Sequence, residues 1–288
     1  MPTPLADALQ EQSVTAGSKF DHARRRPGSY LVSSMLAGAF IGVGVVLLIA
    51  VGGPLQAAAS PWVKLIEGLV FGVALTIVIF AGADLVTGNM MTMPQGVLTR
   101  RVGVTAAIVV IVFSFVGNLV GSVVFSWIVH ESGVLTAGAV AGKPPAGEAL
   151  LTGLIKTKTA ETDTALFFRA VLCNFLVCLA VWMGARTKSD GAKIALIFAA
   201  ILAFISPGFE HVVANMTYFS LGMFDHVPGA TMAAFGRNLL FVGLGNLVGG
   251  ALFVGAAYAF IGRAGNQGAP ERPAALEREP STPSATVS

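Results

Sequence analysis

The chain has 288 residues, 55% of them apolar and only 11% charged, with a formal net charge of +3. Soluble domains carry about 25% charged residues, so a single water-soluble core is excluded and the chain reads as a polytopic membrane protein built from helices. The period-2 alternation of a transmembrane β-barrel is missing, and the basic residues sit at segment ends, where they signal topology and not a nucleic-acid surface.

Residues 1–28 are polar, with Leu5, Leu9, Val14 and Phe20 at amphipathic spacing, and predict a short interfacial helix ahead of Arg24-Arg25-Arg26. They show no signal-peptide pattern. The first span is expected at about Tyr30 to Val51, and the second at about Pro61 to Gly82, continuing past a break towards Pro94 and Arg100-Arg101. The third is expected at Val102 to Val129, followed by a long loop from His130 to Asp163. The fourth covers Ala165 to Ala185, the fifth Ile194 to Gly222 with a break in its middle, and the sixth Leu239 to Ile261. The channel domain is thus 29–262, and 263–288, rich in Pro, Ala, Glu and Ser, reads as a disordered tail.

Lys and Arg orient these spans. With both termini in the cytoplasm of an inner-membrane protein, Arg24–Arg26, Arg100, Arg101, Arg186, Lys188 and Lys193 fall inside, and fewer basic residues fall outside. Gly117-Asn118-Leu119-Val120-Gly121 in the third span recurs as Gly245-Asn246-Leu247-Val248-Gly249 in the sixth, and the second and fifth spans are each broken. The fold class expected is an all-α membrane protein of six transmembrane helices arranged as a 3+3 inverted repeat.

The breaks carry the chemistry. Gly82 to Asn89 and Ser206 to His211 put helix breakers and ionisable groups inside apolar runs, where they are costly and mark a pathway. Gly82, Gly88, Pro207 and Gly208 let the backbone leave helical geometry, and the N–H groups so freed are suited to an anion. His211 is the only histidine deep in a span, and an imidazole there exchanges a proton near neutral pH. Glu210 and Asp84 either line the path or cap freed N–H groups. Thr87 supplies a hydroxyl on the first break. Asn118, Asn174 and Asn246 are buried amides suited to bonding freed carbonyls, and Asn174 is also placed on the substrate path. Cys173 and Cys178 read as small buried hydrophobes. No P-loop, H-E-x-x-H or G-x-S-x-G occurs, so no enzyme, cofactor or metal is expected.

At Gly82–Asn89, Cys173–Met183, Gly208–Met216 and Gly245-Asn246 the chain resembles the formate/nitrite transporter family over about residues 28–262. That resemblance implies an aquaporin-like protomer, a homopentamer with one pore in each protomer, His211 as the central pore histidine and Thr87 as its partner. It implies Lys158 as the lysine that draws the anion in, Phe71 with Leu75 as one apolar constriction, and Leu85 with Phe204 as the other. Val32–Ala39, Leu166–Arg169 and Ala214–Thr217 are more similar to the nitrite branch than to the formate branch. Phe175, Pro207, Val86 and Val212-Val213 depart from the family's usual residues. The expected function is a channel in the lipid bilayer for a small monovalent weak-acid anion and protons, nitrite first. Formate or hydrosulfide on the same fold is the alternative, and an intramembrane enzyme using Glu210 and His211 a remote one.

Overall fold

The computed structural model describes residues 1–137, 142 and 144–266. The described chain is helical: α1 (Leu5–Arg25), α2 (Pro27–Ala57), α3 (Val63–Phe80), α4 (Val86–Leu98), α5 (Val104–Ser132), a 3₁₀ turn (Val134–Thr136), α6 (Ala146–Ala160), α7 (Asp163–Ala185), α8 (Asp190–Ile205), α9 (Val212–Phe224) and α10 (Met232–Val248). The last of these passes through a π-helical stretch, Gly249–Ala256, into α11 (Ala257–Asn266). The expected tail, 263–288, begins inside α11, which carries the helix through Asn266, and from 267 onward it lies outside the described residues.

Local chemistry sets several boundaries. Pro27 opens α2, where its missing N–H costs nothing. Thr162, Ser189 and Thr231 cap α7, α8 and α10 by accepting the N–H three residues on. Gly133, at φ +66°, closes α5 in the left-handed conformation that glycine tolerates.

Among the described residues, five helices are long and apolar enough to cross a bilayer: Pro27–Ala57, Val63–Phe80, Val104–Ser132, Asp163–Ala185 and Met232–Arg263. The expected fifth span is divided between α8, of 16 residues, and α9, of 13, each shorter than the roughly 20 residues a bilayer core requires. The segment expected as a loop from His130 to Asp163 instead contains α6. Its apolar residues Leu150, Leu151 and Ile155 repeat at helical spacing and are fully buried, and burying that stripe outweighs the Gly, Ala and Thr content that suggests a loop.

The same pairwise packing occurs in both halves. α2 packs on α3 and α5, and α7 packs on α8 and α10. The short helices then cross over, with α9 lying against α5 and α4 against the π-helical stretch. Close approach depends on small residues. A Cβ on Gly121 would sit 1.9 Å from the Met35 carbonyl oxygen, and one on Gly249 2.2 Å from that of Val171. The repeated Gly-Asn-Leu-Val-Gly segments are therefore the contact faces of α5 on α2 and of α10 on α7. α4 and α9 are almost wholly buried, which makes the two short helices the centre of the bundle.

Candidate functional site

The two chain breaks have the same construction. Gly82 at φ +75° ends the α3 side and Gly208 at φ +79° the α8 side, and neither position is crowded, so the backbone conformation alone calls for glycine. The chain then runs extended through Leu85 into α4 and through His211 into α9. Extended backbone inside a helical bundle leaves polar groups without helical partners, which is very costly in an apolar surrounding. One asparagine serves each break. Asn118 Oδ1 accepts from Val86 N at 2.9 Å, while its Nδ2 donates to Ser34 O at 2.8 Å and Asp84 O at 2.9 Å. Asn246 Oδ1 accepts from Val212 N at 2.9 Å, and its Nδ2 donates to Ala170 O at 2.8 Å and Glu210 O at 2.9 Å.

Three expectations change at this point. Glu210 and Asp84 do not cap freed N–H groups, because the asparagines already hold Val86 N and Val212 N. Those two N–H groups are accordingly not open to an anion. Gly88 does not form the first break either. It stands in the first turn of α4 with no positive φ, and a Cβ there would meet nothing within 4 Å. Its lack of a side chain keeps space open beside the break.

Each carboxylate instead takes a lysine from the helix that precedes its half. Lys19 of α1 donates to Asp84 Oδ2 at 2.7 Å, and Asp84 Oδ1 accepts from Tyr30 Oη at 3.0 Å and from Asn89 Nδ2. Lys158, near the end of α6, donates to both Glu210 oxygens at 2.9 Å, and Glu210 Oε2 also accepts from Asn215 Nδ2 at 2.6 Å. An ammonium has three donors, so one N–H of Lys158 is left over. Its Nζ also lies 5.2 Å from the centroid of the Tyr218 ring.

His211 and Thr87 meet where the breaks converge. His211 Nε2 and Thr87 Oγ1 are 3.1 Å apart, and His211 is 3% and Thr87 0% exposed. His211 Nδ1 accepts from Ala214 N at 3.1 Å, which makes the imidazole the side-chain cap of α9. A backbone N–H only donates, so Nδ1 carries no proton in this arrangement and the neutral ring carries its proton on Nε2, facing Thr87.

Phe204 stacks on His211 with ring centroids 6.1 Å apart and meets Phe71 edge-on at 6.2 Å. Leu75 and Leu85 line a separate cavity. The expected pairing of Phe71 with Leu75, and of Leu85 with Phe204, is thereby rearranged. Residues four apart on one helix stand a turn apart in depth, so the group facing each of them comes from another helix.

Two cavities adjoin the breaks, and His211 lines the first of them. One, of about 320 Å³, is lined by Lys158, Glu210, His211, Tyr218, Arg169, Lys64 and Glu67 among others. The other, of about 160 Å³, is lined by Lys19, Gln12, Leu75, Leu85, Gly88 and Thr92 among others. A recess of about 550 Å³ between α1 and the start of α5 is lined by no residue of either break.

Asn174, expected on the path, lines neither cavity. Its Nδ2 donates to Thr87 O at 3.2 Å and Asn246 O at 2.7 Å, so it ties α7 to both halves and holds the backbone behind the threonine. Pro207 lies in the turn between α8 and α9. The sequence reading missed two residues of the site. Lys19 stands in the polar N-terminal segment with no signal of its own beyond its charge, although its helix buries Ala8, Gln12, Ala16 and Ala23 at four- and seven-residue steps. Glu67 was not singled out, although it stands four residues before Phe71 and eight before Leu75 on the buried face of α3. Among the described residues no cluster of His, Cys, Asp or Glu is arranged to hold a metal ion.

The family model described as formate/nitrite transporter matches residues 8–260. The nitrite transporter NirC of Salmonella typhimurium is 38% identical over 255 residues, covering 88% of this chain and 91% of the relative. A probable formate transporter of Methanothermobacter thermautotrophicus is 41% identical over 242 residues, covering 80% of this chain and 88% of the relative. A solved pentameric formate channel with formate bound superposes with a TM-score of 0.71 at 25% identity, covering 83% of this chain and 98% of that one. The relatives are membrane channels and transporters, not enzymes, and with the match spanning nearly the whole helical bundle this chain belongs to the formate/nitrite transporter family.

Proposed function

We propose that the chain is a channel for a small monovalent weak-acid anion, nitrite first, which passes the His211–Thr87 pair accompanied by a proton. In this reading α8 and α9 together complete a sixth span. The two halves form a 3+3 inverted repeat of aquaporin-like architecture, both termini lie in the cytoplasm of an inner membrane, and five protomers assemble with a pore in each. The Lys158 cavity is then the outer vestibule and the Lys19 cavity the inner one. The pentameric formate channel of similar fold supports the assembly.

The observation that carries the function is the hydrogen bond between His211 and Thr87 at the junction of the two breaks, with an aromatic pair beside it and a lysine in the cavity on either side. A bare anion leaving water for such an apolar passage meets a desolvation cost idealised at tens of kcal/mol, whereas a neutral acid meets far less. Lys158 draws the anion into the vestibule. The anion takes up a proton near His211 and crosses the passage as the neutral acid, with the Nε2–H of His211 and the Thr87 hydroxyl replacing water at its oxygens. It deprotonates on the Lys19 side.

Nitrite is placed first because Val32–Ala39, Leu166–Arg169 and Ala214–Thr217 resemble the nitrite branch. Formate is the second reading, supported by the probable formate transporter at 41% identity. Uptake into proteoliposomes, with nitrite, formate and hydrosulfide in competition, ranks the substrates. In the same assay wild-type uptake rises as external pH falls, and His211→Asn flattens or inverts that dependence. An unchanged profile removes the histidine from the proton step.

A further inference from the structure

We propose that Glu67 is the proton carrier of the Lys158 vestibule, the group that supplies the anion with its proton before the Phe71–Phe204 passage. This rests on the channel reading above and adds a substrate-handling residue to it.

The Glu67 side chain is only 3% exposed. Its Oε2 accepts from Lys64 Nζ at 2.9 Å, while Oε1 is buried with no hydrogen-bond partner. Gly52 of α2 makes room for that oxygen: a Cβ there would meet Oε1 at 2.9 Å. A buried carboxylate oxygen without a donor is costly, and a proton satisfies it directly. Glu67 also lines the same cavity as Lys158 and His211, so the bare oxygen and the anion-drawing ammonium share one space. On α3 it stands one turn before Phe71 on the face that continues to Leu75, at the mouth of the passage.

His211 does not fill this role in the geometry present. With Nδ1 accepting from Ala214 N, the ring has only the Nε2 proton to give, and giving it would leave an imidazolate. A carboxyl that gives up its proton leaves a carboxylate, the ordinary anion of that side chain.

In the step, the O–H bond on Glu67 Oε1 breaks and an O–H bond forms on the anion oxygen. The neutral acid moves on, and the carboxylate left behind keeps its pairing with Lys64. A hydronium ion from the outer solution reloads it. The charged and titratable groups facing this carboxyl are Lys64 on its own helix, Lys158 from α6, Arg169 from α7, Glu210 and His211 at the break, and Tyr218 from α9. Lys158 is held by Glu210 and Arg169 by Glu161.

The test is nitrite and formate uptake by wild type, Glu67→Gln, Glu67→Asp and His211→Asn in proteoliposomes, across external pH from roughly 4 to 8, a range that spans the ordinary carboxyl and imidazole pKa values. Glu67→Gln is expected to lose the acid-stimulated limb and to run about tenfold slower at the acid end, a modest share of what general acids contribute. Glu67→Asp restores part of the limb. If the Gln variant does not assemble, Lys64→Met replaces it: without the counter-cation the acid-stimulated limb moves to higher pH. A wild-type profile in Glu67→Gln, or uptake raised at every pH as loss of a repelling charge would give, overturns the proposal. If His211→Asn flattens the profile and Glu67→Gln does not, the carrier role alone falls. If neither variant changes it, the proton-linked channel reading falls as well.

Discussion

Asn118 and Asn246 make equivalent sets of three hydrogen bonds, one set to each chain break. Each amide holds the first free N–H of a short helix, the carbonyl of the carboxylate residue that precedes it, and a carbonyl of the neighbouring long helix. The breaks are therefore rigid, and the His211–Thr87 pair inherits its position from them.

Replacing either asparagine by leucine is expected to leave two buried backbone groups of its break unpaired, while Ser34 O and Ala170 O keep the partners of their own helices. At about 1–3 kcal/mol for each such group, the loss is a large share of the stability of many folds. Thermal unfolding in detergent and the yield of assembled protein report it, and Asn118→Leu and Asn246→Leu should be damaging to a similar degree.

Gly82→Ala and Gly208→Ala test the backbone independently of packing, because both positions are open and both have positive φ. Forcing a Cβ into the left-handed region costs about 1–2 kcal/mol. Gly236→Ala, in α10 with nothing within 4 Å and without a positive φ, serves as the control and is expected to be neutral or mildly stabilising. Melting temperatures of the three variants should separate along that line.

Lys158→Met is expected to raise the KM for anion uptake by about tenfold, which corresponds to about 1.4 kcal/mol of lost attraction. It also leaves Glu210 as an unpaired buried carboxylate, so Lys158→Met/Glu210→Gln is the cleaner comparison. Wild-type KM should rise with ionic strength, as screening predicts for an attraction acting in part through solvent, and the double variant should show less of that rise. Uptake kinetics at low and high salt give both quantities.

Thr87→Val removes the hydroxyl while keeping the side chain's shape, and is expected to slow uptake by roughly tenfold through loss of one hydrogen bond of about 1–1.5 kcal/mol. Thr87→Ser should recover most of the rate. Equal rates for the Val and Ser variants would exclude the hydroxyl from the passage.

Lys19→Met addresses the pair at the other cavity. Asp84 would keep Tyr30 and Asn89 as donors, so the fold is expected to survive, while anion release or uptake from that side changes. Transport measured in both directions across the vesicle distinguishes this from a general loss of activity, which would affect both directions equally.

Much of this protein was legible in its residues. Composition and apolar run length placed it in a membrane, because 11% charged residues leave no water-soluble alternative. Gly82 and the Pro207-Gly208 pair marked the breaks, since helix breakers amid apolar runs have few other uses. The repeated Gly-Asn-Leu-Val-Gly segments disclosed that the two halves are alike. His211 and Thr87 were identifiable as a pair only by resemblance to the family, because they are far apart in the chain.

What the residues alone could not settle was which polar group answers which. Asp84 and Glu210 sit beside freed N–H groups in sequence, yet those groups go to Asn118 and Asn246, which arrive from other helices. Phe71 and Leu75 are neighbours on one helix, yet Phe71 faces Phe204. Lys19 and Glu67 carry no site signal in the sequence, and Lys158 is marked only by resemblance to the family, until α1, α3 and α6 bring them to the two cavities. Local sequence determines where a helix starts, stops or breaks, because those are short-range steric and hydrogen-bonding matters. Partners across the bundle depend on long-range packing, where a rotation of one helix by a single residue, about 100°, exchanges one set of contacts for another.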